Sequence, residues 1–210
     1  MLPFTPDERT TIEQAINRAE KETSGEIIVV IATASAGYFA YALIWAALIA
    51  LLVPWPLISL TDWPVEFIYL AQLAVFLLGA LLMQWEALRF AIVPESVKRA
   101  RAHQKAVEQF LAQNLHTTKG RTGVLIYVSF AERYTEVIAD EGIYKKVLHD
   151  TWKGVVATLA THLDRGQRVE GFVNAINACR TILAEHFPPG RINLNELPNH
   201  LIMLDARWTG

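Results

Sequence analysis

The chain has 210 residues, 52% of them hydrophobic, and a formal net charge of -2 at neutral pH. This charge excludes the strongly basic character of most nucleic-acid-binding domains, so no nucleic-acid partner is expected. Its one cysteine, Cys179, excludes both an intrachain disulfide and a metal site built from several thiolates.

The first predicted element is a helix that begins at the capping box Thr5-Pro6-Asp7-Glu8. In this motif the Thr5 hydroxyl and the Glu8 carboxylate cap the first turn, and proline suits the first helical position. Apolar residues then recur at helical spacing until Ser24-Gly25, where a glycine ends the helix. The nearly continuous β-branched run at 26–31 predicts a central strand that is covered on both faces.

Two long segments without charged side chains follow, at 27–61 and 67–85. Each contains enough apolar residues for a helix that crosses a hydrocarbon core, which takes about 20 residues. We place the first span at 38–53, ended by Pro54 and Pro56, and the second at 67–85. The pair predicts a transmembrane hairpin inserted into a folded domain, and a buried helical hairpin of a soluble protein is the alternative.

The distribution of basic residues predicts the orientation of this hairpin. The connection between the spans contains no Lys or Arg, whereas the flanks contain Arg18, Lys21, Arg89, Lys98, Arg99 and Arg101. The positive-inside rule then places both termini and the folded domain in the cytoplasm, with two spans in the cell membrane, as in a bacterial inner membrane. Neither span contains an acidic, basic or histidine side chain, so no ion or proton path through it is expected.

The sequence after the hairpin predicts a helix from Pro94 to about His116, a buried strand at 123–129 and a third strand at 133–139. The short turn at 130–132 makes the third strand antiparallel, whereas the helical connection makes the first two strands parallel. Two further helices complete the predicted domain, at 143–163 and 168–187.

This order of elements predicts an α/β fold, namely a small α/β/α sandwich with a mixed sheet, interrupted by a two-helix transmembrane hairpin. The predicted divisions are a first domain part at 1–36, the hairpin at 37–88, a second domain part at 89–187 and a C-terminal tail at 188–210. Within the tail, the segment HLIML at 200–204 fits either an added edge strand or a peripheral contact.

Three acidic residues are predicted at one end of the sheet. Glu26 begins the first strand, and Asp140 and Glu141 follow the third. Because the third strand is antiparallel to the other two, these carboxylates are expected at the same end, away from the membrane. Carboxylate oxygens are ligands of Ca²⁺ and Mg²⁺, so we predict a weak divalent-metal or phosphate-ester site at Glu26, Asp140 and Glu141. The alternative is that Asp140 caps the following helix or turn and Glu26 is a solvated strand end.

Two segments resemble the TPM domain family. Thr23-Ser24-Gly25-Glu26-Ile27 resembles its first signature, and RTGVLIYVSFAERYTEVIADEGI at 121–143 resembles its second. The similarity covers about 5–35 and 95–187. It implies an α/β/α sandwich, frequently tied to a membrane, in a family linked to photosystem repair, receptor modulation and, in one branch, acid phosphatase activity with calcium binding. Most members described in this way work outside the cytoplasm, which differs from the orientation that the basic residues predict.

Recognisable enzyme motifs are missing from the sequence, which has no G-x-S-x-G elbow, no phosphate-binding P-loop and no H-E-x-x-H pair. No catalytic residue is therefore assigned, and whether the chain is an enzyme stays open at this level. We expect a binding or assembly module whose partners are the lipid bilayer and another membrane protein, with no cofactor apart from Ca²⁺ or Mg²⁺. The alternatives are a divalent-metal-dependent phosphatase-like hydrolase and a structural subunit of a larger membrane complex.

Overall fold

The computed structural model describes residues 4–189 and 201–205, and its contacts divide the chain into two units. The first unit comprises the residues up to Ala36 and from Arg99 onward, and the second comprises Gly37–Lys98. The second unit is therefore an insertion that follows the first strand of the first unit.

The helices and strands alternate in an order that the insertion interrupts. The part before and within the insertion contains α1 (Pro6–Lys21), β1 (Glu26–Ala32), α2 (Phe39–Leu52), α3 (Pro54–Leu60), α4 (Val65–Leu82) and α5 (Glu86–Ile92). The remainder contains α6 (Glu95–Ala112), the 3₁₀ helix η1 (Leu115–Thr117), β2 (Gly123–Ser129), β3 (Tyr134–Ala139), α7 (Glu141–Tyr144), α8 (His149–Asp164), α9 (Arg168–His186) and β4 (Leu201–Leu204).

The first unit is built on a four-stranded mixed sheet with the order β3-β2-β1-β4. β1 is parallel to both β2 and β4, and β2 is antiparallel to β3, as the short turn between them requires. The predicted α/β class and mixed sheet are confirmed. β4 shows that the tail segment is an edge strand at 201–204, while His200 lies outside the described residues.

Two apolar cores cover the two faces of this sheet. All seven residues of β1 and all seven of β2 are buried. Alternate residues point to opposite faces, so one core contains Ile27 and Ile126 and the other contains Ile28 and Leu125. α1, α8 and α9 pack on the first face, and α6 with η1 packs on the second. Each fully buried aliphatic side chain in these cores contributes about 1.5–3 kcal/mol to folding. With helices packed on both faces of the sheet, the first unit is an α/β/α sandwich.

The start of α1 has the predicted capping box. The Thr5 hydroxyl accepts the Glu8 N–H at 3.3 Å, and the Thr5 N–H donates to the Glu8 carboxylate at 2.7 Å. These hydrogen bonds hold the pKa of Glu8 below its usual value. The motif therefore fixes the point at which the first helix begins.

The second unit contains two apolar helical stretches, Phe39–Leu60 with 22 residues and Val65–Leu82 with 18. Both are long and apolar enough to cross a membrane. Small residues of α2, among them Ala46, are buried where α2 meets α4. At this contact a Cβ on Gly79 would lie 3.3 Å from the Ala46 Cβ, so the two helices approach closely. The large apolar side chains of the unit point outward instead, as Leu52 does at 70% exposure.

The helices agree with the prediction before Pro54 and differ from it at two other places. As predicted, α2 ends at Leu52, just before Pro54. The apolar stretch then continues in α3, because both prolines lie in its first turn, where a helix needs no backbone donor. The helix predicted at 143–163 is divided, since Leu148 has extended backbone angles between α7 and α8. α5 was not predicted as a separate helix.

Candidate functional site

The acidic end of the sheet is formed by a row of three residues on neighbouring strands. Glu26 of β1 pairs with Gly123 of β2, and the Asp140 N–H donates to the Gly123 carbonyl at 2.9 Å. Glu26 and Asp140 therefore lie at the same end of the sheet, as the antiparallel third strand requires. Both are buried, with 6% and 4% of their surface exposed.

The middle of this row is occupied by the main chain of η1. A Cβ on Gly123 would lie 2.5 Å from the Leu115 carbonyl oxygen, so only glycine lets η1 pack there. Residues directly opposite each other on paired strands point to the same face, so Glu26 and Asp140 project on the side where Leu115 lies. Leu115 therefore packs against Gly123, the residue that separates Glu26 from Asp140 in the row.

Asp140 has the structural role that the sequence left as the alternative. One carboxylate oxygen accepts the Glu141 N–H at 2.7 Å and caps α7. The other lies 3.0 Å from Arg121 Nε, whose N–H does not point at it, so this contact is an ion pair without a hydrogen bond. Glu141 is 64% exposed and pairs with Lys145 at 2.9 Å, which lowers the pKa of Glu141.

Glu26 has an acidic neighbour that sequence reasoning missed. Glu20, in the last turns of α1, accepts the Ile27 N–H at 3.1 Å and is in hydrogen-bond contact with the Glu26 carboxyl group. Burial, together with the negative charge of Glu26, raises the pKa of Glu20 to about 8. A pKa near 8 leaves Glu20 mainly protonated at neutral pH, which reduces the repulsion between the two neighbouring carboxyl groups.

The predicted divalent-metal site at Glu26, Asp140 and Glu141 stays a prediction. Within residues 4–189 and 201–205, no three His, Cys, Asp or Glu side chains are grouped so that they could hold a metal ion. Asp140 and Glu141 already have basic partners, Arg121 and Lys145. A cation at this end would have to compete with Arg121 for Asp140 and with Lys145 for Glu141.

A second polar cluster lies at the opposite end of the sheet and joins the β2–β3 turn to the segment after β1. The Glu132 carboxylate accepts the Ser35 N–H, at 2.9 and 3.1 Å to its two oxygens, and also the Ser129 hydroxyl. The Ser35 hydroxyl lies 2.8 Å from the Tyr127 hydroxyl, and burial raises the pKa of Tyr127 to about 12. All four side chains are buried, and their hydrogen bonds connect the β2–β3 turn to the segment after β1.

The comparisons with known proteins bear on the fold alone. No protein-family model matches the chain, and no curated protein matches it. The NMR structure of the BA42 protein from the psychrophilic bacterium Bizionia argentinensis has a TM-score of 0.60 with this structure, at 21% sequence identity. The similarity covers 96% of this chain and 95% of that chain. At this identity it supports the α/β architecture and carries no function over.

Proposed function

We propose that this chain is an integral membrane protein with two spans that presents a cytoplasmic TPM-like domain as a binding or assembly module for a membrane partner. The supporting observation is the apolar surface of the second unit, in which only 11% and 6% of the two long helical stretches are buried. Large side chains such as Leu70, Leu77 and Leu81 are more than half exposed. A surface of this kind is unfavourable in water and is covered by acyl chains in a bilayer.

The orientation follows from charge. The connection between α3 and α4, at 61–64, carries Asp62 and no basic residue, whereas Arg89 lies in α5 and Arg99 in α6. Basic residues are retained on the cytoplasmic side, which supports a cytoplasmic position for the first unit and for both ends of the chain.

The role as a binding module follows from the tether and from exposed apolar side chains of the domain. Leu148, between α7 and α8, is 80% exposed, and Tyr144 at the end of α7 is 42% exposed. Tethering to the bilayer restricts the domain to a thin layer, so a partner in the same membrane meets it at a high effective concentration. Modest contacts of this kind then suffice for assembly.

Membrane insertion and orientation can be tested by cysteine labelling of the full-length protein in intact cells. The native Cys179 is buried and its pKa is raised to about 12, so it does not compete for the label. We expect Thr61→Cys to react with a membrane-impermeant maleimide from outside, and Glu13→Cys on the exposed side of α1 to react only after lysis. Protein that carbonate extracts from membranes would contradict insertion, and the reverse labelling pattern would contradict the orientation.

The module role can be tested by site-specific photo-cross-linking in native membranes. A photoreactive residue at Leu148 is expected to give a discrete adduct with a membrane protein, whereas the same residue at the exposed Glu13 is the matched control. The adduct should disappear when the membranes are dissolved in detergent, because the tether then no longer concentrates the partner. Equal adducts at both positions, or none at Leu148, would contradict the proposal.

The alternative, a divalent-metal-dependent phosphatase-like hydrolase, is favoured by the two buried carboxylates at one end of the sheet, Glu26 and Asp140. Calorimetric titration of Ca²⁺ and Mg²⁺ into detergent-purified protein tests it. Binding that Asp140→Asn and Glu26→Gln both remove, and that the exposed Glu13→Gln retains, would support this function and justify assays with phosphate esters. No heat at millimolar metal would reject it.

A further inference from the structure

A cavity of about 330 Å³ opens where β2 turns into β3. The turn after β2, the last residues of α8 and the first residue of α9 form its walls. The side chains with polar or aromatic groups on these walls include Phe130, Arg133, Thr135, Asp164 and Arg168. Ser129, at the edge of the cavity, is the last residue of β2, whereas Gly123 of the acidic row is the first. A strand of seven residues spans about 20 Å, so this cavity is separate from the predicted metal site.

The residues that line this cavity include two arginines on different elements, Arg133 and Arg168, and one acidic residue, Asp164. Arg133 Nη2 lies 3.4 Å from Asp164 Oδ1, and the two side chains are 84% and 69% exposed. A long, solvated ion pair of this kind is weak and exchanges readily. The Arg168 guanidinium lies 5.6 Å from the centre of the Phe130 ring, and this contact holds it at the cavity wall. Arg168 also helps to lower the pKa of Glu8.

We propose that this cavity binds a phosphate group, carried either by a lipid headgroup or by a soluble phosphate ester, with Arg133 and Arg168 as its donors. Guanidinium groups bind carboxylate and phosphate oxygens through the same forked hydrogen bonds. In the absence of a ligand, the Asp164 carboxylate therefore pairs with Arg133 in the way that a phosphate oxygen would. A phosphate group carries three acceptor oxygens and can engage both arginines, so it displaces Asp164 from Arg133. The Thr135 hydroxyl on the cavity wall is available as a neutral donor.

The position at which the chain leaves the first unit favours a lipid as one source of this phosphate. Ala32 at the end of β1 pairs with Ser129 at the end of β2, so both strands end on the cavity side of the sheet. The chain leaves the first unit after Ala36, and four residues span at most about 14 Å. The cavity thus lies at the end of the sheet from which the chain leaves the first unit. The lipid source rests on the proposed membrane function, whereas phosphate binding itself does not.

The test uses the full-length protein in neutral detergent micelles, with two probes. Calorimetric titration with inorganic phosphate measures binding of the bare group. Native mass spectrometry of protein in micelles doped with phosphatidylglycerol or with phosphatidylcholine measures retained lipid.

We expect Arg133→Ala and Arg168→Ala each to weaken binding about tenfold, as loss of a charge-assisted hydrogen bond does. Asp164→Asn should strengthen it about threefold, because the competing charge is removed. Arg165→Ala, which removes a neighbouring exposed charge that does not line the cavity, is the matched control.

Each outcome decides something about the cavity. Phosphate binding without preferential retention of phosphatidylglycerol supports the site and assigns a soluble ester as its ligand. Retention of phosphatidylglycerol over phosphatidylcholine, lost in the two cavity variants, supports the site and assigns a lipid. Absence of both signals overturns the proposal, and so does an equal loss in Arg165→Ala, which would reflect only the general charge of the surface. Asp164→Asn keeps the test decisive if an arginine variant does not fold. Labelling of the hairpin separately reports membrane insertion, so failure of one proposal is distinguishable from failure of the other.

Discussion

Glu20 is the residue whose ionisation should be visible in the stability of the protein. Its pKa in the folded state is about 8, above the ordinary 4.5, so the folded state retains a proton that the unfolded state releases. The stabilisation is therefore complete below the ordinary pKa and is lost as the pH rises through about 8. We expect the unfolding temperature in detergent to fall by about 5 °C or more between pH 6 and pH 9.

The substitution Glu20→Gln isolates this effect, because the amide keeps an acceptor for the Ile27 N–H and cannot ionise. Its unfolding temperature should depend less on pH than that of the native chain, while Glu13→Gln, an exposed change on the same helix, should follow the native profile. Parallel profiles for the native chain and Glu20→Gln would show that Glu20 does not titrate in this range.

Gly123 is the second position where one residue decides local packing. A Cβ there would lie 2.5 Å from the Leu115 carbonyl oxygen and 2.9 Å from its side chain, so Gly123→Ala must displace η1 from the sheet. We expect a loss of about 1–3 kcal/mol, typical of overpacking, measured by chemical denaturation. Gly154→Ala in α8 is the control, because nothing lies within 4 Å of its Cβ, and it should be neutral or slightly stabilising. Equal effects of the two changes would contradict this explanation of the packing.

Local chemistry explains which of these residues the sequence could predict. The sequence could predict Asp140 as a helix N-cap, because a short polar residue directly before a helix commonly caps it. It could not predict the contacts of Glu20 and Glu132, because their partners are Glu26 on an adjacent strand and Ser35, 97 positions away. A contact between a helix and the strand that follows it, or between segments far apart in the chain, leaves no periodic signal in the sequence.

At the scale of elements, the periodicity of apolar residues predicted the helices and strands themselves, but it did not predict where one helix ends and the next begins. β1 and β2 were predictable because a strand buried on both faces reads as an unbroken apolar run. The start of α3 at Pro54 was not, since a proline that ends one helix and a proline that begins the next have the same local sequence pattern. β4 was predicted only as one of two alternatives, because a four-residue strand depends on pairing with β1.

The contact between α2 and α4 makes a prediction for the hairpin. Gly79→Leu would place a branched side chain where a Cβ already lies 3.3 Å from the Ala46 Cβ, and should force the two helices apart. We expect the detergent-solubilised variant to aggregate at a lower temperature, by about 5–10 °C, in a size-exclusion assay. Leu78→Ala, an exposed neighbouring position, should change this temperature little. An unchanged temperature for Gly79→Leu would indicate that the helices are not held by this contact.

At the scale of the whole molecule, the insertion leaves the core of the first unit untouched. Every residue assigned to the two apolar cores belongs to the first unit. The sheet pairs across the insertion, since β1 precedes it and β2 follows it. The sequence therefore divides into a unit with its own two cores and an apolar insertion whose two long helices pack on each other.

Removal of the insertion tests this division. We expect a chain in which a flexible Gly/Ser linker of about 15 residues replaces 37–98 to be soluble without detergent and to unfold cooperatively, because a longer or shorter loop changes closure entropy only slowly. Far-UV circular dichroism and a thermal melt provide the measurement, and Ile126→Asp, which places a charge in the core, provides the unfolded reference. A chain that melts without cooperativity, like that reference, would mean that the domain needs its hairpin to fold. A cooperative melt would instead assign the hairpin to anchoring and permit the cavity at Arg133 to be studied with soluble phosphate alone.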